Sequence, residues 1–285
     1  MFTTLIGTWD LAARLADPAL VIVDVRHDLA RPDAWGENAY RESHLPGARF
    51  AHLDRDLSGV KTGRNGRHPL PTPEACARVF GRLGIDATKQ VVAYDQGPGM
   101  YAARLWWMLR WLGHDAVSVL DGGFAAWIRE GRPISAEMPH VAATAFVARP
   151  PTPTIAASAI ASGIADPVAT SAFLLLDARA RERYCGDVEP LDPVAGHIPG
   201  ALNRPYSENL DAEGRFKSQT ALAQEFDAIL GGRAPRDVVH YCGSGVTACH
   251  NLLAMTHAGR PGASLYPGSW SEWCADPDRP VARGS

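Results

Sequence analysis

The side chain with the strongest claim to chemistry is a cysteine. Cys242 closes the apolar run Val238-Val239-His240-Tyr241 and is followed by Gly243-Ser244-Gly245-Val246-Thr247, then by a segment, 248–255, that can wind into a helix. Strand, tight loop and helix in that order place Cys242 at the carboxyl end of a strand, where open α/β sheets bind ligands. Successive loop N–H groups ahead of a helix converge on one point and hold an anion. They favour the thiolate, which is the attacking form of a cysteine. The chemistry expected is covalent catalysis by a polarisable nucleophile. A buried packing role is the commoner fate of a free cysteine. The glycines after Cys242 and the strand before it decide for the nucleophile. Cys76, Cys185, Cys249 and Cys274 lack that setting and read as structural. Cysteine-dependent phosphatases also seat a thiolate in an anion loop, but need an arginine six residues later; position 248 is alanine, which excludes them.

The elements that position this loop occur twice. Leu20-Val21-Ile22-Val23-Asp24-Val25-Arg26 returns as Leu174-Leu175-Leu176-Asp177-Ala178-Arg179, and His44-Leu45-Pro46-Gly47 as His197-Ile198-Pro199-Gly200, both 153 residues on. Val91-Val92-Ala93-Tyr94-Asp95 answers to Val238–Cys242 at an offset of 147, and Asp121–Trp127 to Pro267–Trp273 at 146. Four matches in one order mean a duplicated unit of ordinary domain size. Each unit alternates short apolar strands with helix-period segments such as 101–112, which argues a parallel sheet with helices on both faces. The proline-rich stretch 139–154 reads as a linker between a domain over 1–138 and a second over 155–285. The segment 54–73 reads as a long surface loop.

The repeat also exposes an asymmetry. Where the second unit has Cys242 the first has Asp95, and a carboxylate cannot do a thiolate's work. The second domain is therefore expected to be catalytic and the first not, the first supplying a wall of the cleft. His44, His197, Asp24 and Asp177 recur in both units, so structural roles are expected for them. Trp106, Trp107 and Trp111 fall at helical spacing and read as core or inter-domain packing, as do Trp270 and Trp273 near the cysteine loop.

Composition bounds the rest. Across 285 residues, 46% are hydrophobic and 21% charged, enough for buried cores. A net charge of −3 gives no basic field, so no nucleic-acid partner is expected. No apolar run of membrane-spanning length occurs, so no membrane association is expected. The opening residues lack a basic start and apolar stretch, and five scattered cysteines form no disulfide or zinc framework, which fits a reducing cytoplasm.

The paired His-x-Pro-Gly segments, the duplicated strand ending in Asp-x-Arg and the single C-terminal loop cysteine resemble the two-domain rhodanese family of sulfurtransferases, over nearly the whole chain. The loop Cys242–Thr247 is similar to that of the 3-mercaptopyruvate-specific branch; thiosulfate-specific members carry two basic residues where Gly243 and Ser244 stand. The resemblance implies two tandem rhodanese-like α/β domains and transfer of a sulfane sulfur from 3-mercaptopyruvate, through a persulfide on Cys242, to a thiol such as thioredoxin or to cyanide. It implies no cofactor and no metal. It assigns Arg183 to the substrate carboxylate, and Ser244, His68 and Asp54 to a polarising set. Gly243, Gly245, Val246 and Thr247 complete the substrate loop. Thiosulfate:cyanide transfer is the alternative, with a non-catalytic sulfur carrier behind it. One departure bears on the donor: the family's second arginine is missing from Val188-Glu189-Pro190-Leu191-Asp192-Pro193, which leaves Arg179 or Arg181 as substitutes.

Overall fold

A computed structural model describes residues 1–165 and 173–284. Two units divide the chain: the first comprises Met1–Gly59, Pro71–Thr152 and Ala212–Phe216, the second Val60–Leu70, Pro153–Asp211 and Lys217–Ser285. Each unit is thus completed by a short segment from the other half of the sequence. The 54–73 stretch is accordingly not one surface loop. Its residues 60–70 belong to the second unit, where His68 is buried.

The first unit is a five-stranded parallel sheet built from β1 (Leu5–Ile6), β2 (Leu20–Asp24), β3 (Arg49–Phe50), β4 (Gln90–Tyr94) and β5 (Val117–Leu120), in the order β1-β5-β4-β2-β3. Parallel neighbours need crossovers. These carry α1 (Thr8–Ala12), α2 (Trp35–Glu42), α3 (Pro73–Arg82) and α4 (Ala102–Trp111), and α5 (Gly123–Arg129) follows the last strand. Local chemistry sets the boundaries: α3 starts where the Thr72 hydroxyl accepts the Ala75 N–H with Pro73 in the first turn.

The second unit repeats the plan with four parallel strands in the order β7-β6-β8-β9. They are β6 (Leu174–Asp177), β7 (Leu202–Asn203), β8 (Val238–Tyr241) and β9 (Ser264–Leu265). Around them run α6 (Ala157–Ala165), α7 (Arg181–Cys185), α8 (Gln219–Leu230), α9 (Thr247–His257) and α10 (Ser269–Trp273). Every residue of β8 is buried, as a strand covered on both faces requires. Trp270 and Trp273 are fully buried in the core below it. Among the described residues no helix is long and apolar enough to cross a membrane.

The recurring polar residues hold each unit together. Arg26 pairs with Asp24 and Arg179 with Asp177, both at 2.7 Å and both buried. The two guanidiniums lie over Phe124 and Trp270, at 4.1 and 4.8 Å from the ring centroids. His44 and His197 bond through Nδ1 to the carbonyls of Tyr40 and Tyr184 and stack on those rings. These groups are spent on structure in both units, in accord with their recurrence.

The first unit's counterpart of the cysteine loop closes on its own side chain. The Asp95 carboxylate accepts the backbone N–H groups of Gly97, Gly99, Tyr101 and Ala102 at 2.8–3.2 Å. Burial raises its pKa, while those four amides pull against the rise. A loop of this design is an anion holder, and here the anion is built in.

Candidate active site

Register brings Tyr241 beside Asp177 at the carboxyl end of β8, so Cys242 emerges where the sheet stops. Its backbone is then clamped from one side. The Cys242 carbonyl accepts the Trp270 N–H at 2.9 Å, the Gly243 carbonyl accepts the Ser271 N–H at 2.9 Å, and the Cys242 N–H donates to Ser269 Oγ at 3.1 Å. Ser269 Oγ donates in turn to the Tyr266 carbonyl. Gly245 makes the tight return with φ +76°, and a Cβ there would lie 2.3 Å from the Pro267 carbonyl oxygen, so only glycine fits. Val246 and Thr247 then lead into α9. Cys242 itself is 2% exposed.

Ser244 and His68 are brought together. The serine Oγ lies 2.7 Å from His68 Nδ1, and both side chains are buried. They are 176 residues apart in the chain and meet because residues 60–70 belong to this unit. Asp54 belongs to the first unit. There its carboxylate stands 3.8 Å from His27 Nε2, and its N–H donates to His52 Nδ1 at 3.1 Å. His27, His52 and Asp54 offer donor atoms within 4.8 Å of one another. His52 also bonds the Pro32 carbonyl through Nε2, so both of its ring nitrogens are engaged by backbone.

Arg183 projects from α7 toward the same loop. Its Nε and Nη2 bond Glu189 at 3.2 and 2.6 Å, and Nη2 reaches Asp192 at 3.3 Å. A Cβ built on Gly243 would stand 3.4 and 3.5 Å from its two Nη atoms. The guanidinium therefore borders the residue next to the cysteine, and a glycine there preserves the space. The stretch 188–193, which lacks an arginine, supplies instead the two carboxylates that hold one. Burial would raise Glu189, but its bonds to Arg183 and to the N–H groups of Leu191 and Asp192 bring it below the usual carboxylate range. At Asp192 burial prevails and the carboxyl sits above that range, against the pull of Arg67. Arg179 is buried against Asp177 and Glu189, which removes it as a substitute for the missing arginine.

Two residues near the cysteine escaped the sequence reading. Arg67 donates to Asp192, and its Nη2 would be 2.8 Å from a Cβ on Gly243. Its only signal was its place directly before His68. Ser269 takes φ +54°, the one positive value outside glycine among the described residues. Its first-unit counterpart is Gly123 at φ +57°, so the strained geometry was visible in the repeat only as a glycine.

Two like units of parallel α/β sheet, one with a loop cysteine bordered by arginine, serine and histidine, define a tandem protein with one chemically equipped unit. The chain belongs to the rhodanese-like domain family, whose model matches residues 9–130 and 160–276. It is 47% identical to the probable 3-mercaptopyruvate sulfurtransferase of Pseudomonas aeruginosa, over 98% of both chains. It is 40% identical to a Mycobacterium tuberculosis protein, SseB, provisionally named a thiosulfate sulfurtransferase, over 99% of this chain and 97% of that one. The crystal structure of SseA from Escherichia coli, a 3-mercaptopyruvate sulfotransferase, superposes with a TM-score of 0.78 at 33% identity, covering 94% of this chain and 99% of that one.

Proposed function

We propose that this sulfurtransferase takes its sulfur from 3-mercaptopyruvate and passes it, through a persulfide on Cys242, to a thiol acceptor such as thioredoxin or to cyanide, in the cytoplasm. The observation that carries the reading is the guanidinium of Arg183 beside Gly243, adjoining the loop cysteine. A planar fork of donors suits a carboxylate.

The Cys242 thiolate attacks the donor's sulfur, and the carbon–sulfur bond breaks with its electron pair passing to carbon. The enolate of pyruvate so formed takes up the proton released from the donor thiol, leaving pyruvate and a Cys242 persulfide anion. Ser244, hydrogen-bonded to His68, polarises the donor's keto oxygen as negative charge develops there. The family pattern adds Asp54 to this set. In the second step an acceptor thiolate attacks the outer sulfur, the sulfur–sulfur bond breaks, and Cys242 leaves as thiolate. The first unit supports the loop's part in this: the equivalent loop holds a carboxylate with four N–H groups. Gly243, Gly245, Val246 and Thr247 would likewise surround the persulfide.

The test is kcat/KM for 3-mercaptopyruvate and for thiosulfate with one common acceptor. A preference for mercaptopyruvate supports the reading; a preference for thiosulfate transfers the protein to the alternative that the name of its Mycobacterium tuberculosis relative indicates.

A further inference from the structure

The surface beside the cysteine loop carries apolar side chains that the sulfur chemistry does not use. Val60, Val188 and Leu191 are 87%, 53% and 45% exposed, and all three belong to the second unit. Val188 directly precedes Glu189 and Leu191 directly precedes Asp192, and those two acids turn inward onto Arg183 and Arg67. The inward acids leave their apolar neighbours on the outside. Val188 and Leu191 therefore stand on the outer rim of the group that borders Gly243. Pro190 and Pro193 are exposed on the same stretch.

Val60 joins that rim through a turn closed on itself. Asn65 Nδ2 donates to the Val60 carbonyl at 2.9 Å, and Asn65 Oδ1 accepts the Thr62 N–H at 2.8 Å. The base of the turn is pinned beside the cysteine loop. The Arg67 N–H donates to Ser271 Oγ at 3.0 Å, and its guanidinium donates to Asp192, next to Leu191. A Cβ on Gly66, at φ +87°, would lie 2.8 Å from the Gly268 carbonyl oxygen. A formed turn thus holds the Val60 side chain out in water. Single exposed apolar residues are ordinary, but several gathered beside one reactive group mark an interaction surface.

We propose that Val60, Val188 and Leu191 form a docking collar for a thiol-bearing acceptor protein. The inference rests on the thiol-acceptor reading above and adds the surface that such a protein meets. Cys242 is 2% exposed, so a macromolecular acceptor has to press its thiol inward and its own surface against the rim. Cyanide needs no such contact. The partner that fits presents its thiol within a small apolar face, because valine and leucine gain by leaving water and offer no charge to read. A second copy of the chain seated there would cover the loop cysteine and stop turnover, which argues against it as the occupant.

The experiment is steady-state sulfur transfer to reduced thioredoxin and, separately, to cyanide, with whichever of 3-mercaptopyruvate and thiosulfate the chain turns over as saturating donor. It compares the full chain with Val60→Ser, Val60→Ser/Leu191→Ser and Val60→Leu. Serine removes apolar area without placing a charge near an anionic donor, and exposed positions of this kind leave the fold intact. The serine variants are expected to raise KM for thioredoxin by about tenfold, the double variant more, because the area buried on docking is lost. Cyanide transfer is expected to be unchanged, and Val60→Leu to behave as wild type. An unchanged KM for thioredoxin in the double variant overturns the proposal. So does an equal loss with both acceptors, which would make the turn a support of the cysteine loop. Cyanide turnover per enzyme that falls with rising enzyme concentration in wild type, but not in the double variant, assigns the collar to a second copy and overturns it too. A wild-type chain that transfers to cyanide and not to thioredoxin overturns the protein-acceptor reading, and the collar with it.

Discussion

Ser269 Oγ accepts the backbone N–H of Cys242 at 3.1 Å while its own backbone is held at φ +54°. A left-handed conformation costs an L-residue about 1–2 kcal/mol. In the first unit, where the loop carries no cysteine, the same position is Gly123, and a Cβ there would meet the Asp95 and Gly97 carbonyl oxygens at 2.8 and 2.5 Å. The second unit therefore accepts strain to bring a hydroxyl to the backbone N–H of its loop cysteine. Ser269→Ala keeps the strain and orphans a buried N–H, so a loss of about 1–3 kcal/mol is expected. Ser269→Gly relieves the strain and should recover about 1 kcal/mol of that. Urea denaturation of the two variants checks the order; an alanine variant more stable than the glycine one would contradict it.

Cys242→Ala should abolish transfer from either donor with the melting curve unchanged, since one buried sulfur is lost and the loop backbone bonds remain. Arg183→Ala should raise KM for mercaptopyruvate by about tenfold to hundredfold, because a charge-assisted bond to the carboxylate is lost. Steady-state kinetics reads both. Residual turnover in the cysteine variant removes Cys242 from the reaction, and an unchanged KM in the arginine variant removes Arg183 from the site.

Ser244 and His68 should act as a unit. A double-mutant cycle with Ser244→Ala and His68→Ala, read on kcat, should give a coupling energy of about 0.5–3 kcal/mol. Asp54→Asn added to that cycle measures its membership. Full additivity would place it outside the set.

Asp95 should be a stability residue of the first unit. Asp95→Ala strips an acceptor from four N–H groups at once and should cost about 3 kcal/mol or more. Asp95→Asn, which keeps one oxygen, should cost less. A shift in urea midpoint decides, and an alanine variant as stable as wild type would show that the loop does not need its internal anion.

His240 should make the protein acid-sensitive. It is fully buried on β8, with Nε2 3.5 Å from Met255 Sδ, and burial pushes its pKa down from 6.5 to about 3. The folded state therefore stays neutral there while the unfolded chain takes up a proton. Stability is fully present above pH 6.5 and falls as pH drops from 6.5 toward 3, by about 1.4 kcal/mol per pH unit. His240→Leu should flatten that part of the stability curve. Denaturant titrations at pH 7, about 5.5 and about 4.5 compare the slopes; equal slopes in the two proteins would assign the acid loss to other groups.

Much of this was written locally. The repeat, the buried parallel strands, the structural Asp-x-Arg pairs and the Gly-rich loop after Cys242 follow from apolar periodicity, turn residues and the spacing of a few side chains. All of these act over a handful of neighbours, so they read directly from the chain. The mismatch of Asp95 with Cys242 was equally legible, because the repeat supplied its own comparison.

Tertiary structure decided which distant residues meet, although the resemblance had already implied the pairing of His68 with Ser244. His68 meets Ser244 across 176 residues and Arg67 meets Asp192 across 125. Nothing in the composition of 54–73 announces that part of it joins the second unit. The stretch 188–193 stood out in the sequence only for its missing arginine, and the fold pairs its Glu189 and Asp192 with Arg183 and Arg67. The physical reason is the same in each case. Periodicity and turn chemistry encode backbone form, whereas an ion pair between distant segments depends on where the finished fold sets two side chains, and no local pattern records that.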